Sequence, residues 1–174
     1  MIYKFKEFKD EPLLINHLNM GGKNPKGDEI NVTSRYFTRN GKPWIGVMGE
    51  FHFSRYSREN WHRELAKMKA GGITIVSTYL FWIYHEEIEG KMDFGGDNDI
   101  RAFIEECKDV GLDVVIRIGP WAHGECRNGG FPDWLLKKDY KLRDNNEEYL
   151  AVVKKWYQSI YNEVKGLFYK DGGN

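Results

Sequence analysis

Residues 73–78 read ITIVST and decide the fold of this chain. Nearly all of these residues are β-branched, which is typical of a strand that side chains cover on both faces. A glycine pair at residues 71–72 precedes the strand and ends a predicted helix that begins after Ser57, an N-cap residue type. The apolar stripe of that helix consists of Trp61, Leu65 and Met68. The stretch is therefore predicted to be a buried strand of a parallel sheet.

The alternation of strand and helix continues on both sides of this strand. Residues 45–48 predict an earlier strand that ends near residues 49–50, and residues 114–118 predict a later one. Helices are predicted over about residues 99–110 and from about Asp144 onward. The apolar stripe of the last helix is Leu150, Val153, Tyr157, Ile160, Val164 and Leu167. Three strand-then-helix units in succession predict a parallel sheet with right-handed crossovers.

The first part of the chain carries turn signals instead. Residues 20–28 are a run of turn formers without an apolar period, and they predict a loop between short strands. Asn40 and Gly41 stand between two β-prone runs, which predicts a hairpin with a type I′ turn because both residues accept positive φ. Residues 1–34 are therefore predicted to be an N-terminal extension with loops and short strands, and residues 35–174 an α/β domain.

Length and motif content limit the architecture further. The chain has 174 residues, whereas a complete (β/α)8 barrel typically needs about 250. No glycine-rich phosphate loop follows the first strand, which favours a barrel segment over a nucleotide-binding sheet. The predicted fold class is therefore α/β, namely a partial (β/α)8 TIM barrel with about the first three βα units plus an N-terminal β-hairpin.

Charge and hydropathy exclude several classes of partner. The 26 basic and 26 acidic side chains balance, which argues against nucleic-acid binding. No stretch approaches the roughly 20 apolar residues that cross a bilayer. The N-terminus carries no secretory signal pattern, so we expect a cytoplasmic protein without a membrane partner. Two cysteines, Cys107 and Cys126, do not form a disulfide framework.

Acids, imidazoles and aromatic rings follow each predicted strand. In a parallel barrel the loops after the strands form the reactive face. This mixture of side chains suits a sugar, since rings stack on its C–H face and polar groups bond its hydroxyls. The candidate substrate-binding residues are Tyr79, His123 and Glu125, and the further pocket candidates are Glu50, His52, Trp82 and Trp121.

Structural interpretations of these residues compete with the binding ones. Glu125 could be a solvated surface acid, and a tyrosine at a strand end, such as Tyr79, is often a core residue. Glu50 and His52 could form a structural pair that holds the first loop. Trp82 fits packing better than stacking on a ligand, because tryptophans are more often buried than exposed.

Other polar residues of the loops are interpreted without a ligand. Residues 86–87 predict a solvated turn, with His85 in a structural role. Arg117 stands inside an apolar strand and is expected to pair with a carboxylate, since a buried charge without a partner is costly. His52, His85 and His123 lie on three successive loops without the spacing of zinc ligands, so we expect neither a metal site nor a cofactor.

Several blocks of the sequence, in order, resemble glycoside hydrolase family 35, the β-galactosidase family among the (β/α)8 retaining glycosidases. The resemblance covers about residues 35–170. The blocks are NGKP at 40–43 with GEFHFSR at 49–55, LAKMKAGG at 65–72, TYLFW at 78–82 followed by His85 and Glu86, and RIGPW at 117–121 continuing through Glu125 to GGFPDWL at 129–135. Three positions depart from the family pattern: His123 stands where members often have Asn or Cys, Gly124 stands where many have Ala, and Trp121 replaces the more usual Tyr.

This resemblance implies a β-galactosidase-like hydrolase that acts on terminal β-galactosyl residues with retention. By position, Tyr79 matches the family tyrosine that contacts galactose, and Glu125 matches the glutamate that hydrogen-bonds its hydroxyls. The family's two catalytic acids follow its fourth and seventh strands, whereas the Asn-Glu pairs at 146–147 and 162–163 lie on a predicted helix. The resemblance therefore implies an incomplete TIM-barrel glycosidase domain at residues 35–174 that holds no catalytic residue and is inactive alone.

Two other functions stay open at this point. The chain could be a non-catalytic galactose-binding module or an assembly fragment. Three parallel strands leave an open sheet edge, which predicts self-association or docking to a complementary chain. The expected ligand in either case is a β-galactoside or a related carbohydrate, while nucleic acid and membrane are not expected.

Overall fold

The computed structural model describes residues 3–4 and 11–174, and the chain divides into two units, Met1–Ile45 and Gly46–Asn174. The first unit contains four short strands: β1 (Gly21–Lys23), β2 (Glu29–Val32), β3 (Phe37–Arg39) and β4 (Lys42–Trp44). They form an antiparallel sheet in the order β1-β2-β3-β4. The hairpin of β3 and β4 belongs to this unit because β3 pairs with β2.

The turn between β3 and β4 confirms the hairpin prediction. Asn40 and Gly41 have φ values of 52° and 74°, the left-handed values that a type I′ turn needs. The Asn40 side chain also accepts a hydrogen bond from the backbone N–H of Glu29 at 2.8 Å, which ties the turn to β2. The loop prediction for residues 20–28 was wrong at its start, because β1 pairs through backbone groups and needs no apolar pattern.

The second unit is built on a three-stranded parallel sheet. Its strands are β5 (Met48–Glu50), β6 (Ile75–Tyr79) and β7 (Asp113–Arg117), with β6 in the middle. Its helices are α1 (Trp61–Ala70), α2 (Trp82–His85), α3 (Ile100–Val110), α4 (Asp133–Leu136) and α5 (Glu147–Val164). The long helices α1, α3 and α5 each follow a strand, so the predicted alternation and the parallel pairing are confirmed.

Side-chain caps set where two of the long helices begin. Asp99 caps α3 by accepting a hydrogen bond of 2.9 Å from a backbone N–H of the first turn, and Gly111 ends that helix at a φ of 78°. Asn146 caps α5 in the same way at 3.0 Å. The helix therefore begins at Glu147 and not near Asp144 as the sequence suggested.

The buried face of α5 differs from the predicted stripe. Leu150, which the periodicity places on the apolar face, is 46% exposed, whereas Tyr149 and Trp156 are buried. Trp156 also donates from Nε1 to the carbonyl oxygen of Ile118 at 3.0 Å, which joins the helix to the end of β7. The remaining buried residues of this face are Val153, Ile160 and Val164. The buried face of α5 therefore includes two aromatic residues that the predicted stripe did not contain, and it excludes Leu150.

An aromatic core supports the loop after β6. The rings of Trp82 and Trp156 are stacked, with centroids 5.5 Å apart and planes within 7°. Trp82 is only 1% exposed, and its Nε1 donates to Glu86 Oε2 at 2.6 Å. The structure therefore places Trp82, one of the pocket candidates, in the packed core.

The polar residues at the end of α2 are buried. Glu86 is 5% exposed, and its carboxylate accepts hydrogen bonds from Trp82 and, at 2.7 Å, from the N–H of Gly90. The His85 ring is fully buried, with Nδ1 2.9 Å from the carbonyl oxygen of Asp93. Burial lowers the pKa of His85 to about 4. The prediction of a solvated turn was wrong for Glu86, because its carboxylate closes the turn by bonding two N–H groups.

We expect His85 to make the stability of the chain depend on pH. Its folded pKa lies below its ordinary value of 6.5, so the neutral ring stabilises the fold above that pH. This contribution is lost as the pH falls toward 4. Between about pH 7.5 and about pH 5, we expect the free energy of unfolding to fall by about 2 kcal/mol. Urea unfolding of the chain at both pH values measures it.

His85→Asn supplies the comparison, because asparagine does not titrate and keeps an N–H donor near Asp93. The variant should be less stable at neutral pH through lost packing. Between pH 7.5 and pH 5, the free energy of unfolding of the variant should nevertheless fall by about 2 kcal/mol less than that of the wild-type protein. Equal pH dependence of the two proteins would contradict the role given to His85.

Candidate functional site

The three parallel strands end at one edge of the sheet. Glu50, Tyr79 and Arg117 are the last residues of β5, β6 and β7, and the register pairs Tyr79 directly with Arg117. We call this region the carboxyl edge, and it comprises residues 50–56, 79–87 and 117–134. Ligands of parallel α/β folds bind outside the carboxyl ends of the strands, so this edge is the candidate site.

A cluster of charged and aromatic side chains occupies the carboxyl edge. Arg117 forms an ion pair with Glu50, and its guanidinium carbon lies 3.6 Å from the centre of the Tyr79 ring. Glu50 Oε1 also lies 2.9 Å from His52 Nε2. The His52 ring is stacked on Tyr79 with centroids 5.8 Å apart. The expected pairing of Arg117 with a carboxylate is therefore confirmed, and Glu50 and His52 are in contact.

Two hydrogen bonds hold the loop after β7 against the other strands. The Tyr79 hydroxyl accepts a hydrogen bond from the backbone N–H of His123 at 3.1 Å. Arg55 donates from Nη2 to the carbonyl oxygen of Glu125 at 2.7 Å, and its guanidinium carbon lies 4.4 Å from the centre of the Phe81 ring. The structure thus brings Tyr79, His123 and Glu125 together, with the side chains of His123 and Glu125 exposed.

Trp121 is half-buried within the loop after β7. Its ring meets Phe131 with centroids 5.5 Å apart, and the Arg143 guanidinium carbon lies 4.6 Å from its centre. Gly129 has a φ of 61°, and a Cβ built there would collide with the Trp121 ring. Trp121 therefore packs inside the same loop that carries Glu125.

Sequence reasoning missed two residues of the carboxyl edge, Arg55 and Phe81. Phe81 is fully buried, and its ring centroid lies 5.1 Å from that of His52 and 5.5 Å from that of Tyr79. Arg55 covers this ring and fixes the backbone at Glu125. Both residues lie within the blocks that resemble the family, at 49–55 and 78–82, but their roles depend on contacts between loops that are distant in the sequence.

His52 is neutral at neutral pH. Burial lowers its pKa below 6.5, the Glu50 carboxylate raises it, and Arg55 and Arg117 lower it. Burial and the two arginines thus favour the neutral form of the ring in its contact with Glu50. Among the described residues, the buried Nδ1 of His52 has no hydrogen-bond partner.

Residues 3–4 and 11–174 contain no group of three or more His, Cys, Asp or Glu side chains that could hold a metal ion. His85 is buried in the core, whereas the side chain of His123 is exposed at the carboxyl edge, so the histidines of the three loops do not converge. Within the same residues, no helix is long and apolar enough to cross a bilayer.

The sequence is similar to a family of glycosidases. Residues 36–174 match glycosyl hydrolases family 35. The β-galactosidases of Bos taurus and Homo sapiens are 37% and 36% identical over 146 residues, which is 83% of this chain and 22% of theirs. The β-galactosidase of Xanthomonas manihotis is 37% identical over 138 residues, which is 79% of this chain and 23% of its own. The chain thus spans about a fifth of the length of these relatives.

Two solved structures have a similar fold. An exo-β-1,4-mannosidase from Opitutaceae bacterium strain TAV5 matches with a TM-score of 0.56 and 15% identity, over 86% of this chain and 25% of that one. A GH5_18 protein from Bifidobacterium longum subsp. longum matches with a TM-score of 0.54 and 14% identity, over 69% of this chain and 30% of that one. At this identity the likeness concerns the fold alone: the βα units match part of GH5-type TIM-barrel glycosidases.

Replacing Glu50 by glutamine should lower the pKa of His52 still further. The variant removes the carboxylate that favours the protonated ring and leaves Arg55 and Arg117 in place. Titration of the His52 ring signals by NMR measures the pKa in both proteins. Glu59→Gln is the control, because Glu59 is exposed in the short helix Arg58–Asn60, and it should leave that pKa unchanged. A higher His52 pKa in Glu50→Gln would be incompatible with the cluster.

Gly129→Ala should destabilise the chain and displace the Trp121 ring. The new methyl group adds left-handed backbone strain and collides with the Trp121 ring. We therefore expect the free energy of unfolding to fall by more than about 2 kcal/mol. Gly90→Ala is the matched control, because Gly90 has a φ of 79° but no atom within 4 Å of the added carbon. It should cost only about 1 kcal/mol. Urea unfolding followed by tryptophan fluorescence compares the variants, and equal losses would contradict the enclosed position of Trp121.

Proposed function

The chain belongs to glycosyl hydrolases family 35, and from this premise we propose that it supplies about the first three βα units of a β-galactosidase-like (β/α)8 barrel. The complete protein hydrolyses terminal β-galactosyl residues with retention, and this chain forms part of the sugar pocket. The proposal depends on one observation, the joint position of Tyr79 and Glu125 on the carboxyl edge, linked through the hydrogen bond from His123 to Tyr79.

Tyr79 is only 6% exposed, and the hydrogen bond from His123 leaves its hydroxyl proton without a partner in that bond. Its oxygen accepts from the His123 N–H, so the O–H group itself can donate to a sugar hydroxyl. Arg117 and His52 contact the ring and restrict its orientation. A donor fixed in this way loses little entropy on binding, which supports recognition of a terminal galactose.

Glu125 offers the complementary acceptor. Its carboxylate is exposed and has no hydrogen-bond or ion-pair partner among the residues that the structure describes. A carboxylate can accept hydrogen bonds from two sugar hydroxyls through its two oxygens. Arg55 fixes the backbone of Glu125 through the carbonyl oxygen and leaves the carboxylate free. The two side chains together provide one donor and several acceptors for the same sugar ring.

Hydrolysis with retention needs two carboxylates about 5–5.5 Å apart, one as acid/base and one as nucleophile. The family's acid/base glutamate follows an asparagine at the end of a strand. The two Asn-Glu pairs of this chain, at 146–147 and 162–163, lie at the two ends of α5 and not after a strand. We therefore assign sugar binding to this chain and both catalytic carboxylates to the rest of the barrel.

The edges of the parallel sheet support the same assignment. Within the described residues, β5 and β7 each pair with a strand on one side only. Met48 in β5 is 51% exposed and Val115 in β7 is 41% exposed. In a closed barrel the remaining strands pair with these edges and cover such side chains. A complementary chain or a second copy of this chain would use the same edges.

Glu125→Ala should weaken the binding of galactose at the carboxyl edge. Titration with methyl β-galactoside can be followed by tryptophan fluorescence, because Trp121 lies in the loop that carries Glu125. We expect a saturable change in the wild-type protein at millimolar sugar. Binding to the variant should be at least about tenfold weaker, since a hydrogen bond to a charged group contributes about 1.5–3 kcal/mol.

Glu105→Ala is the matched control, because Glu105 is exposed on α3 and lies outside the carboxyl edge. This variant should bind methyl β-galactoside as the wild-type protein does. An equal response of the wild-type protein to methyl β-glucoside would refute the specificity for galactose. The absence of a saturable response to either sugar would refute the pocket itself.

A further inference from the structure

A cavity of about 330 Å³ lies beside the carboxyl edge, and all three loops contribute to it. Ser54 comes from the loop after β5, Tyr84 and Glu87 from the loop after β6, and Cys126 and Arg127 from the loop after β7. Its volume falls at the lower end of the roughly 300–1,000 Å³ that small-ligand sites occupy. We refer to it as the Ser54–Glu87 cavity.

The Ser54–Glu87 cavity is distinct from the Tyr79 and Glu125 pair. Phe81 is fully buried beside both sites, with its ring centroid 5.5 Å from that of Tyr79 and 5.7 Å from that of Tyr84. Tyr84 lines the cavity, whereas Tyr79 does not. The buried Phe81 ring lies between Tyr79 and Tyr84, and the residues that line the cavity include neither Tyr79 nor Glu125.

Several polar groups that line the cavity have unused hydrogen-bonding capacity. The buried Oγ of Ser54 has no hydrogen-bond partner among the described residues. In the same part of the chain, the exposed Glu87 carboxylate has none either. Asn98 donates from Nδ2 to the carbonyl oxygen of Tyr84 at 2.9 Å, which leaves its amide oxygen as an acceptor. The cavity thus presents a carboxylate and an amide oxygen, while the Ser54 Oγ is buried.

Charge and shape indicate what kind of ligand these groups can hold. Arg127 pairs with Asp133 at 2.9 Å, so this guanidinium is already neutralised, while the Glu87 carboxylate is not. An anionic ligand is therefore disfavoured, and a ligand rich in hydroxyl donors is favoured. The Tyr84 ring is 39% exposed and can contact the apolar C–H face of a sugar.

We propose that the Ser54–Glu87 cavity is a second saccharide-binding site, which takes one neutral pyranose ring. Glu87 and the amide oxygen of Asn98 accept hydrogen bonds from the sugar hydroxyls. The Tyr84 ring packs against the sugar. This site extends the carbohydrate function proposed above, but it uses different residues and stands independently of Glu125.

Cys126 provides a direct report on occupancy, because it lines the cavity and is partly exposed. The second cysteine, Cys107, is fully buried, and burial raises its pKa to about 12, so it does not compete for an alkylating reagent. The rate of Cys126 alkylation by iodoacetamide is measured with and without lactose. At a lactose concentration about twice the Kd, occupancy should slow alkylation about threefold.

Three variants decide between the sites. Glu87→Gln should lose the protection of Cys126, and Glu105→Gln, the exposed control on α3, should keep it. Glu125→Ala should also keep it, even though that variant binds galactose more weakly at the carboxyl edge. The proposal is overturned if lactose does not slow alkylation, if Glu87→Gln is protected like the wild-type protein, or if Glu125→Ala loses protection. Failure of the Glu125 titration alone leaves the cavity assignment intact.

Discussion

The pairing of Tyr79 with Arg117 is the contact on which the carboxyl edge depends. Because β6 and β7 run parallel and in register, their last residues lie side by side. The Arg117 guanidinium thereby contacts the Tyr79 ring and also forms an ion pair with Glu50 at the end of β5. One cation links the ends of three strands, and the carboxylate and the aromatic face offset the cost of removing it from water. His52 and His123, which are distant in the sequence, then converge on the same phenol.

The loop after β6 has a second support, which comes from the aromatic core. The Glu86 carboxylate accepts hydrogen bonds from Trp82 and Gly90, and its carbonyl oxygen accepts one from Trp134 Nε1 at 2.9 Å. Since Trp134 belongs to the loop after β7, one buried residue fixes two neighbouring loops. The stack of Trp82 on Trp156 joins the same loop to α5. The helices that cover the sheet therefore also hold the loops that present the polar side chains.

The sequence predicts the parts of this structure that local patterns determine. The β-branched run in β6 and the Asn40–Gly41 turn each depend on neighbours within a few residues, and both were predicted. The burial of Glu86 was missed although Trp82 and Gly90 each lie only four residues away, because the aromatic core that encloses this turn includes Trp134, 48 residues further along the chain. Arg55 was missed for a related reason: its contact with the Glu125 carbonyl spans 70 residues of sequence. The convergence of Tyr79 and Glu125 was predictable because parallel strands place their carboxyl ends together.

In the part of the chain that the structure describes, some carboxylates of the carboxyl edge have protein partners and others do not, and the two without partners lie on either side of Phe81. The carboxylates with protein partners at the carboxyl edge are those of Glu50, Glu86 and Asp133. Glu87 and Glu125 have no such partner among the described residues, and both are exposed. One lines the cavity beside Tyr84, and the other follows the backbone that bonds Tyr79. A carboxylate that stabilises the fold through its partners has little capacity left for a ligand, so the contacts that hold the loops leave Glu87 and Glu125 as the two acids of this edge with unused acceptors.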